Sequence, residues 1–227
     1  MNLLKEIQKF HIILIGIFYY FIILHYLVYY SKSLSSAQMI HVCPLEEFSP
    51  ADYIVTSSGN RISREAVIMK PEGLEIPSGK VIIKARCKID CENAHVIVNK
   101  FTMICEDTIL SPSTSLPSID SPVPKYIPMT IGTHCYIGRN CDIQSAVIGI
   151  CCHIEDSCVL SPRTILKDFV FIKAGSFVPS DMVLPPFAIV EGNPAKIVGE
   201  MPESITTLGF QNAALRYKYF KQILVSK

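Results

Sequence analysis

The sequence predicts an all-β fold, a parallel β-helix built from hexapeptide repeats, with a C-terminal α-helix and an N-terminal apolar helix. The main observation is that aliphatic residues recur at an unbroken step of six. This step fits neither the 3.6-residue period of a helix nor the alternation of a half-buried strand. It is typical of a coil in which three hexads make one turn and the periodic side chain points into a prism. The eight residues of this row are Ile148, Ile154, Leu160, Leu166, Ile172, Val178, Leu184 and Val190.

Length and charge limit the classes of function. The chain has 227 residues, of which 49% are apolar, so it can bury one sizeable core with small additions. The formal net charge is +1 and no basic run is present, which argues against a nucleic-acid-binding protein. The sequence therefore favours a single β-helical domain.

The N-terminal segment 1–47 is an apolar leader followed by a polar linker. Residues 10–30 read FHIILIGIFYYFIILHYLVYY, which is long enough to cross a bilayer as a helix, and Lys5, Lys9 and Lys32 flank it. Three interpretations stay open: a transmembrane anchor, an upstream extension that is absent from the working protein, and a buried helix.

The β-helix is assigned to residues 48–200. It opens with a hairpin at 53–68, where Ser-Gly-Asn separates two strand-like pieces, and the coil is expected to start near Lys80. Roughly sixteen hexads correspond to about five turns. The predicted inward residues before the main row are Ile83, Ile89, Ile97, Met103, Ile109, Ile131, Ile137 and Ile143, with a slip of two residues after Ile89 and a slip of one after Ile143.

An insertion interrupts the hexads at 111–128. It holds five prolines and five serines and has no apolar period, so it is expected to leave the coil as a loop at a corner. Loops of this kind carry partner contacts on repeat scaffolds. Candidate contact residues are Lys125 and Tyr126 on this loop, with Arg61 and Arg64 on the hairpin.

The coil is expected to stop after Val190, where Gly192 and Pro194 break the pattern. The last segment, 201–227, is assigned to a C-terminal helix that lies along a prism face or caps one open end. Its apolar positions near helical spacing are Ala214, Leu215, Tyr217, Phe220, Ile223 and Leu224.

Cysteines and histidines are the candidates for chemistry. Four of the nine cysteines, Cys135, Cys141, Cys152 and Cys158, each follow a core aliphatic by four residues, which indicates a corner slot for small buried side chains. Zinc-dependent hydration would need three converging imidazoles. His134 and His153 alone do not supply them, and both are interpreted as corner or face residues. His95, near a corner, is the best candidate for the general base of an acyl transfer.

Three stretches carry a resemblance to a known family. YIVTSSGNRISREAVI at 53–68, MTIGTHCYIGRNCDI at 129–143 and FAIVEGNPAKIVGEMPE at 187–203 are similar to the dynactin subunit 5 family, within the wider γ-carbonic-anhydrase-like and hexapeptide transferase superfamily. The resemblance covers about residues 50–204. In the γ-carbonic-anhydrase branch two zinc-binding histidines stand where this chain has Arg139 and Gln144, so the resemblance to that branch does not extend to its metal site.

The resemblance implies a left-handed coil and a function. The chain would be a non-catalytic scaffold subunit of the dynactin pointed-end complex, supporting dynein-based cargo transport in the cytoplasm and cytoskeleton, with no catalytic residue, cofactor or metal. Its partners would be a dynactin subunit 6-like hexapeptide protein, an actin-related protein and a zinc-bearing subunit. Membrane contact would come from residues 10–30 if the leader is retained. The alternative is a γ-carbonic-anhydrase-like or hexapeptide acyltransferase enzyme.

Overall fold

The computed structural model describes residues 46–49, 51–116 and 125–222. The apolar helix predicted at 10–30 lies outside these residues. The first described elements are strand β1 (Glu46–Phe48) and an antiparallel hairpin of β2 (Tyr53–Val55) and β3 (Arg61–Ser63). The predicted hairpin is therefore confirmed, with Tyr53 opposite Ser63 and Val55 opposite Arg61.

Six turns of parallel β-helix begin with β3, and each turn contains three short strands. A 3₁₀ turn at Pro71–Gly73 separates the second and third strands of the first turn. The remaining strands of the six turns are β4 (Val67–Met69), β5 (Leu74–Glu75), β6 (Ile82–Ile83), β7 (Lys88–Asp90), β8 (Val96–Val98), β9 (Met103–Ile104), β10 (Ile109–Leu110), β11 (Met129–Ile131), β12 (Tyr136–Ile137), β13 (Asp142–Ile143), β14 (Val147–Ile148), β15 (His153–Ile154), β16 (Val159–Leu160), β17 (Ile165–Leu166), β18 (Phe171–Ile172), β19 (Phe177–Val178) and β20 (Val183–Leu184).

The coil ends in an antiparallel pair, β21 (Ala188–Gly192) and β22 (Ala195–Glu200). Every third strand stacks in register, so the prism has three faces. The helix face contains β3, β6, β9, β12, β15, β18 and β21. The charged face contains β4, β7, β10, β13, β16 and β19, and the apolar face contains β5, β8, β11, β14, β17 and β20.

The core is a column of aliphatic side chains inside the prism. All eight residues of the hexad row, from Ile148 to Val190, are at most 1% exposed. Full burial of one such side chain stabilises the fold by about 1.5–3 kcal/mol. The step of six places one inward aliphatic in every strand, so even a strand of two residues contributes a side chain to the core.

The structure corrects the predicted start of the coil and its early phase. The coil begins at Arg61 rather than near Lys80, and it makes six turns rather than five. In the second and third turns the inward residues are Val98, Ile104 and Leu110, each fully buried. The predicted Ile97, Met103 and Ile109 stand one position earlier and point outward. Both rows are aliphatic at a step of six, so spacing alone could not separate them.

The cysteines confirm the interpretation of the corner slots. All eight described cysteines are buried and are thiols rather than disulfides. Cys135 donates from Sγ to the carbonyl of Gly149 at 3.0 Å, and Cys141 donates to that of Glu155 at 3.2 Å. Burial raises the pKa of Cys87 to about 12. These thiols act as small core side chains.

The C-terminal segment forms helix α1 (Ile205–Tyr219) and a last strand, β23 (Phe220–Gln222). The helix is therefore shorter than the predicted 201–227. It lies over the helix face and does not cap an end, because Arg216 contacts Tyr136 and Phe210 contacts His134. Strand β23 pairs in parallel with β1, so the predicted linker contributes a strand.

Candidate interaction surface

The helix face presents an aromatic stack to α1. His153 lies between Tyr136 and Phe171, with ring centroids 4.6 and 5.0 Å away and nearly parallel planes. The guanidinium of Arg216, from α1, lies 4.8 Å above the ring of Tyr136. Phe171 is 3% exposed. This face is thus used inside the chain.

The corner between the apolar face and the helix face is a second aromatic column. Phe101, His134, Phe169 and Phe187 occupy the same corner position in different turns, all with φ between +58° and +63°. Phe210 packs edge-on against His134 at 4.8 Å and against Phe169 at 6.0 Å. Burial, with the charges of Lys100 and Arg216, lowers the pKa of His134. Within the described residues its buried Nδ1 has no hydrogen-bond partner.

The structure places His134 at a corner and His153 on a face, as predicted. Across 46–49, 51–116 and 125–222, no three His, Cys, Asp or Glu side chains gather to hold a metal ion. Arg139 donates to Glu106 at 3.1 Å, and Gln144 donates to Asp142 at 3.3 Å. The side chains of Arg139 and Gln144 are therefore engaged in ordinary surface hydrogen bonds.

The Arg139 contact belongs to a charge network at the corner between the helix and charged faces. Lys84 is 3% exposed and its Nζ lies 3.3 Å from Glu106. Burial alone would raise the pKa of Glu106, but its own backbone N–H and the charges of Lys84 and Arg139 hold that pKa below its usual value. The network gives the buried Lys84 an oppositely charged partner.

His95 lies at an exposed corner and is paired with a carboxylate. Its Nδ1 is 2.7 Å from Oε1 of Glu75, on the preceding turn. A cavity of about 250 Å³ adjoins it, lined by Lys70, Glu72, Gly73, Cys91, Glu92, Asn93, Ala94 and His95. Burial raises the pKa of Cys91, so this thiol is not a ready nucleophile.

One candidate contact residue makes contacts inside the chain. Arg61 is half-buried, and its Nη1 donates to the carbonyl of Tyr217 at 2.6 Å and to that of Phe220. Its guanidinium also lies 4.0 Å from the ring centroid of Tyr217. Arg61 therefore holds the end of α1, and its contact with a partner stays a prediction.

The other three candidates are exposed. Arg64 follows β3, whereas Lys125 and Tyr126 lie on the inserted loop, which is a short hairpin at its base. Thr114 and Tyr126 form a β-bridge there, and the side chain of Tyr126 is 48% exposed.

The base of this hairpin is fixed to the coil by Arg163. Its Nη1 donates to the carbonyl of Thr114 at 3.1 Å, and Asp181 accepts from its Nε and Nη2 at 2.6 and 2.8 Å. The loop is therefore held against the corner between the charged and apolar faces.

The apolar face carries a feature that the sequence reasoning missed. The outward residues of five successive rungs stand directly above one another and are β-branched and uncharged. They are Ile97, Thr130, Val147, Ile165 and Val183. Val147 is 39% exposed and Val183 is 54% exposed. The row could have been found in the sequence, because each of its members stands immediately before an inward aliphatic residue.

The charged face lacks such a row. Its outward column runs Val67, Lys88, Ile109, Asp142, Val159 and Phe177. Lys88 and Asp142 interrupt the apolar residues, and both would have to be desolvated if a partner covered this face. The outward column of the apolar face begins with Glu75 in the first turn, and its next five rungs are exposed or half-buried and uncharged.

No helix among the described residues is long and apolar enough to span a membrane.

Comparison with known proteins adds relatives of two kinds. The sequence profile of the family described as Dynactin subunit 5 matches residues 45–225. Dynactin subunit 5 of Dictyostelium discoideum is 32% identical over 102 residues, which cover 45% of this chain and 50% of that protein. The matched part thus spans about half the length of this relative.

Among solved structures, a variant of the Bacillus cereus N-acyltransferase AntD superposes with a TM-score of 0.54 at 13% identity, covering 67% of this chain and 86% of that chain. PerB from Caulobacter crescentus reaches 0.47 at 18% identity, covering 65% and 58%. At 13% identity the likeness to AntD shows the fold alone. The family profile spans most of the chain. The chain therefore belongs to the dynactin subunit 5 family.

Proposed function

We propose that the chain is a non-catalytic scaffold subunit of the dynactin pointed-end complex, and that it docks laterally on a related hexapeptide-repeat subunit through its apolar face. The observation that carries this proposal is the exposed column from Ile97 to Val183, which is uncharged over five rungs. The membership in the dynactin subunit 5 family supports the assignment to dynactin.

A second prism is the natural occupant of such a face. Five rungs at the usual strand spacing extend about 20 Å, and a flat β-branched surface packs well against another of the same pitch. Protein interfaces place uncharged residues at the centre and polar groups at the rim. The inserted hairpin, braced by Arg163, borders this face at one corner and would contribute Lys125 and Tyr126 to such a rim.

The wider assembly follows from the same proposal. The lateral partner is a dynactin subunit 6-like protein, and the complex also holds an actin-related protein and a zinc-bearing subunit. The role is to support dynein-based transport of cargo, in the cytoplasm and at the cytoskeleton. No catalytic step by this chain is required for that role.

Co-purification tests the docking face. Val147→Lys places a charge in the centre of the apolar row, and Ile109→Lys places one on the charged face at nearly the same exposure, 37% against 39%. We expect the first change to reduce recovery of the subunit 6-like partner at least about tenfold, and the second to leave it unchanged. Circular dichroism establishes that both variants stay folded. Equal recovery with both variants would contradict the proposed face.

A second candidate function, acyl transfer, is favoured by one observation. His95 and Glu75 form a base with a carboxylate partner at 2.7 Å, beside a cavity. Such a pair would orient the imidazole to accept a proton from an acceptor amine or hydroxyl. The purified chain would then release thiol from acetyl-coenzyme A in the presence of acceptor, and His95→Gln would abolish the release. We expect no turnover above the blank.

A further inference from the structure

Residues 202–215, most of which belong to α1, form a strap that is fixed to the coil at both ends. Before the strap, Met201 is buried, and its N–H donates to the carbonyl of Phe187 at 2.7 Å. After the strap, Arg61 and the pairing of β23 with β1 hold the C-terminal end of α1. Both ends therefore have backbone hydrogen bonds that do not depend on the centre of the strap.

The centre of the strap rests on the aromatic column through side-chain packing. Phe210 packs edge-on against His134, and a Cβ atom at Gly209 would lie 3.5 Å from Cys151. The N-cap residue of α1, Ser204, makes no side-chain capping hydrogen bond, and the first turn carries no acidic residue. The start of α1 thus lacks the stabilisation that a cap supplies.

His134 is the titratable group beneath this centre. Its ring centroid lies 4.9 Å from that of Phe101 and 4.8 Å from that of Phe210, and its buried Nδ1 has no hydrogen-bond partner among the described residues. Protonation turns both ring nitrogens into donors and gives the ring a positive charge. A buried charge without an acceptor is costly, and separation of Phe210 from His134 relieves this cost by admitting water.

The charged groups around His134 add to the cost of protonation. Lys100 on the coil and Arg216 on α1 are both cations and, with burial, lower the pKa of His134. On the next turn, burial raises the pKa of Cys151 to about 12, so this thiol carries no charge near neutrality. Asp168 lies near Cys151, and its carboxylate accepts from a backbone N–H. Among the described charges that act on His134, none is an anion.

We propose that residues 202–215 are an acid-released strap, whose centre lifts from the coil when His134 takes up a proton, while Met201 and β23 stay attached. In the lifted state the imidazole meets water and titrates near its ordinary value of about 6.5. In the closed state its pKa is lower. Lifting therefore increases as the pH falls below about 6.5 and is suppressed above it.

Hydrogen exchange of the full chain at about pH 7.5 and about pH 5.5, followed by mass spectrometry, tests the strap. The ratio of exchange rates between wild type and His134→Phe at each pH removes the intrinsic pH dependence of amide exchange. We expect this ratio for residues 205–215 to rise at least about threefold at the lower pH, while β6, β9 and β12 stay protected. The inference is overturned if the ratio is the same at both pH values, or if these strands exchange as fast as the strap.

Two charge reversals on exposed lysines test the electrostatic cause. Lys100→Glu replaces a cation that acts on His134 by an anion, so the rise in exchange of 205–215 at the lower pH should fall at least about twofold. Lys88→Glu, on the charged face, changes the net charge by the same amount and should leave the rise as in wild type. Equal effects of the two reversals would contradict the role assigned to His134.

A disulfide across the contact gives an independent test. A Cβ atom at position 209 would lie 3.5 Å from Cβ of Cys151, a distance that a disulfide can span. Gly209→Cys, oxidised with glutathione disulfide, should fix the strap, so the exchange induced by acid should disappear and return on reduction with dithiothreitol. Exchange that persists in the oxidised variant would show that the strap does not lift at this contact. Partner co-purification is a separate measurement on the apolar face, so the outcome here does not decide the proposed function.

Discussion

The aromatic corner shows how one backbone conformation constrains a residue. Phe101, His134, Phe169 and Phe187 all adopt φ near +60°, which non-glycine residues seldom do. The rings contact each other in two pairs, Phe101 with His134 and Phe169 with Phe187, and Phe210 packs against His134. His134 alone in the column brings a polar atom, Nδ1, that lacks a partner among the described residues. An unpaired buried polar atom costs stability.

His134→Phe is therefore expected to stabilise the protein by about 1 kcal/mol. The backbone conformation at this position accepts phenylalanine, because three phenylalanines already occupy the equivalent position in other turns. The variant should also flatten the pH dependence of stability. Burial lowers the pKa of His134 below its ordinary 6.5, so the native state binds fewer protons than the unfolded chain. Stability from this residue is complete above about pH 6.5 and declines as the pH falls below it.

Thermal melts at about pH 7.5 and about pH 5.5 check both effects. The difference between wild type and His134→Phe should grow at the lower pH. Phe187→Leu, at the same corner position and without a titratable group, is the control, and its difference from wild type should be the same at both pH values. A His134→Phe variant less stable than wild type at neutral pH would show that the imidazole has a partner.

Arg61 illustrates a residue that the sequence placed on the surface and the structure uses inside. Arginine's planar guanidinium can contact an aromatic ring and donate to two carbonyls together, and lysine cannot reproduce this geometry. Arg61→Lys should therefore destabilise the protein by about 1–3 kcal/mol. Urea unfolding measures the loss. Arg64→Lys, three residues away and exposed, should unfold at the same urea concentration as wild type, and an equal loss in both variants would contradict the internal role.

At the scale of elements, the sequence predicted the coil better than it predicted the helix. Eight inward aliphatics at a step of six could be read directly, because every hexad meets the same environment. The phase around Ile97 and Met103 failed because the inward and outward rows are both aliphatic at a step of six. Met103 points outward but is only 3% exposed, because it packs in a cluster with Phe48 and Phe220. Burial by a distant element leaves no mark on local spacing.

The same cause explains the errors in α1. Leu215, one of the apolar positions on which the helix was predicted, is 41% exposed, whereas Arg216 is 9% exposed over Tyr136. An arginine that contacts an aromatic ring replaces an aliphatic anchor, and hydrophobic periodicity does not register it. The pairing of β1 with β23 is likewise a contact between the two ends of the described chain, which no local pattern could reveal.

The packing of α1 against the coil can be tested at Gly209. A Cβ atom at this position would lie 3.5 Å from Cβ and Sγ of Cys151, an ordinary contact distance. Gly209→Ala should therefore raise the stability by about 0.5–1 kcal/mol, because alanine favours a helix interior. Gly209→Leu should lower it, since the longer side chain has to lift the helix from the corner. Thermal melts of the two variants check the pair, and stabilisation by both would show that α1 does not rest on Cys151.

At the scale of the whole molecule, the candidate surfaces depend on which faces remain uncovered. The sequence indicated a prism whose sides carry the function, and the family resemblance indicated lateral pairing. The sequence could not indicate which face of the prism is free to bind a partner. That depends on where α1 packs and on how outward residues align between turns. Val147 and Ile165 are 18 residues apart and adjacent in the sheet. Only the closed coil brings them into one row.

A destabilising substitution in one turn of the prism should affect the nearest turns most. Each turn contacts only the turns beside it, so a core cavity is expected to act mainly on its neighbours. Leu184→Ala, in the last turn, should cost about 2–4 kcal/mol and increase amide exchange chiefly in β18 to β22. Ile137→Ala, in the fourth turn, should increase exchange on both sides, from β9 to β18. Hydrogen exchange followed by mass spectrometry distinguishes the two patterns. If Leu184→Ala accelerated exchange equally in β6 and β9, the six turns would unfold as one unit, and the open edge at β22 would be as stable as the centre of the coil.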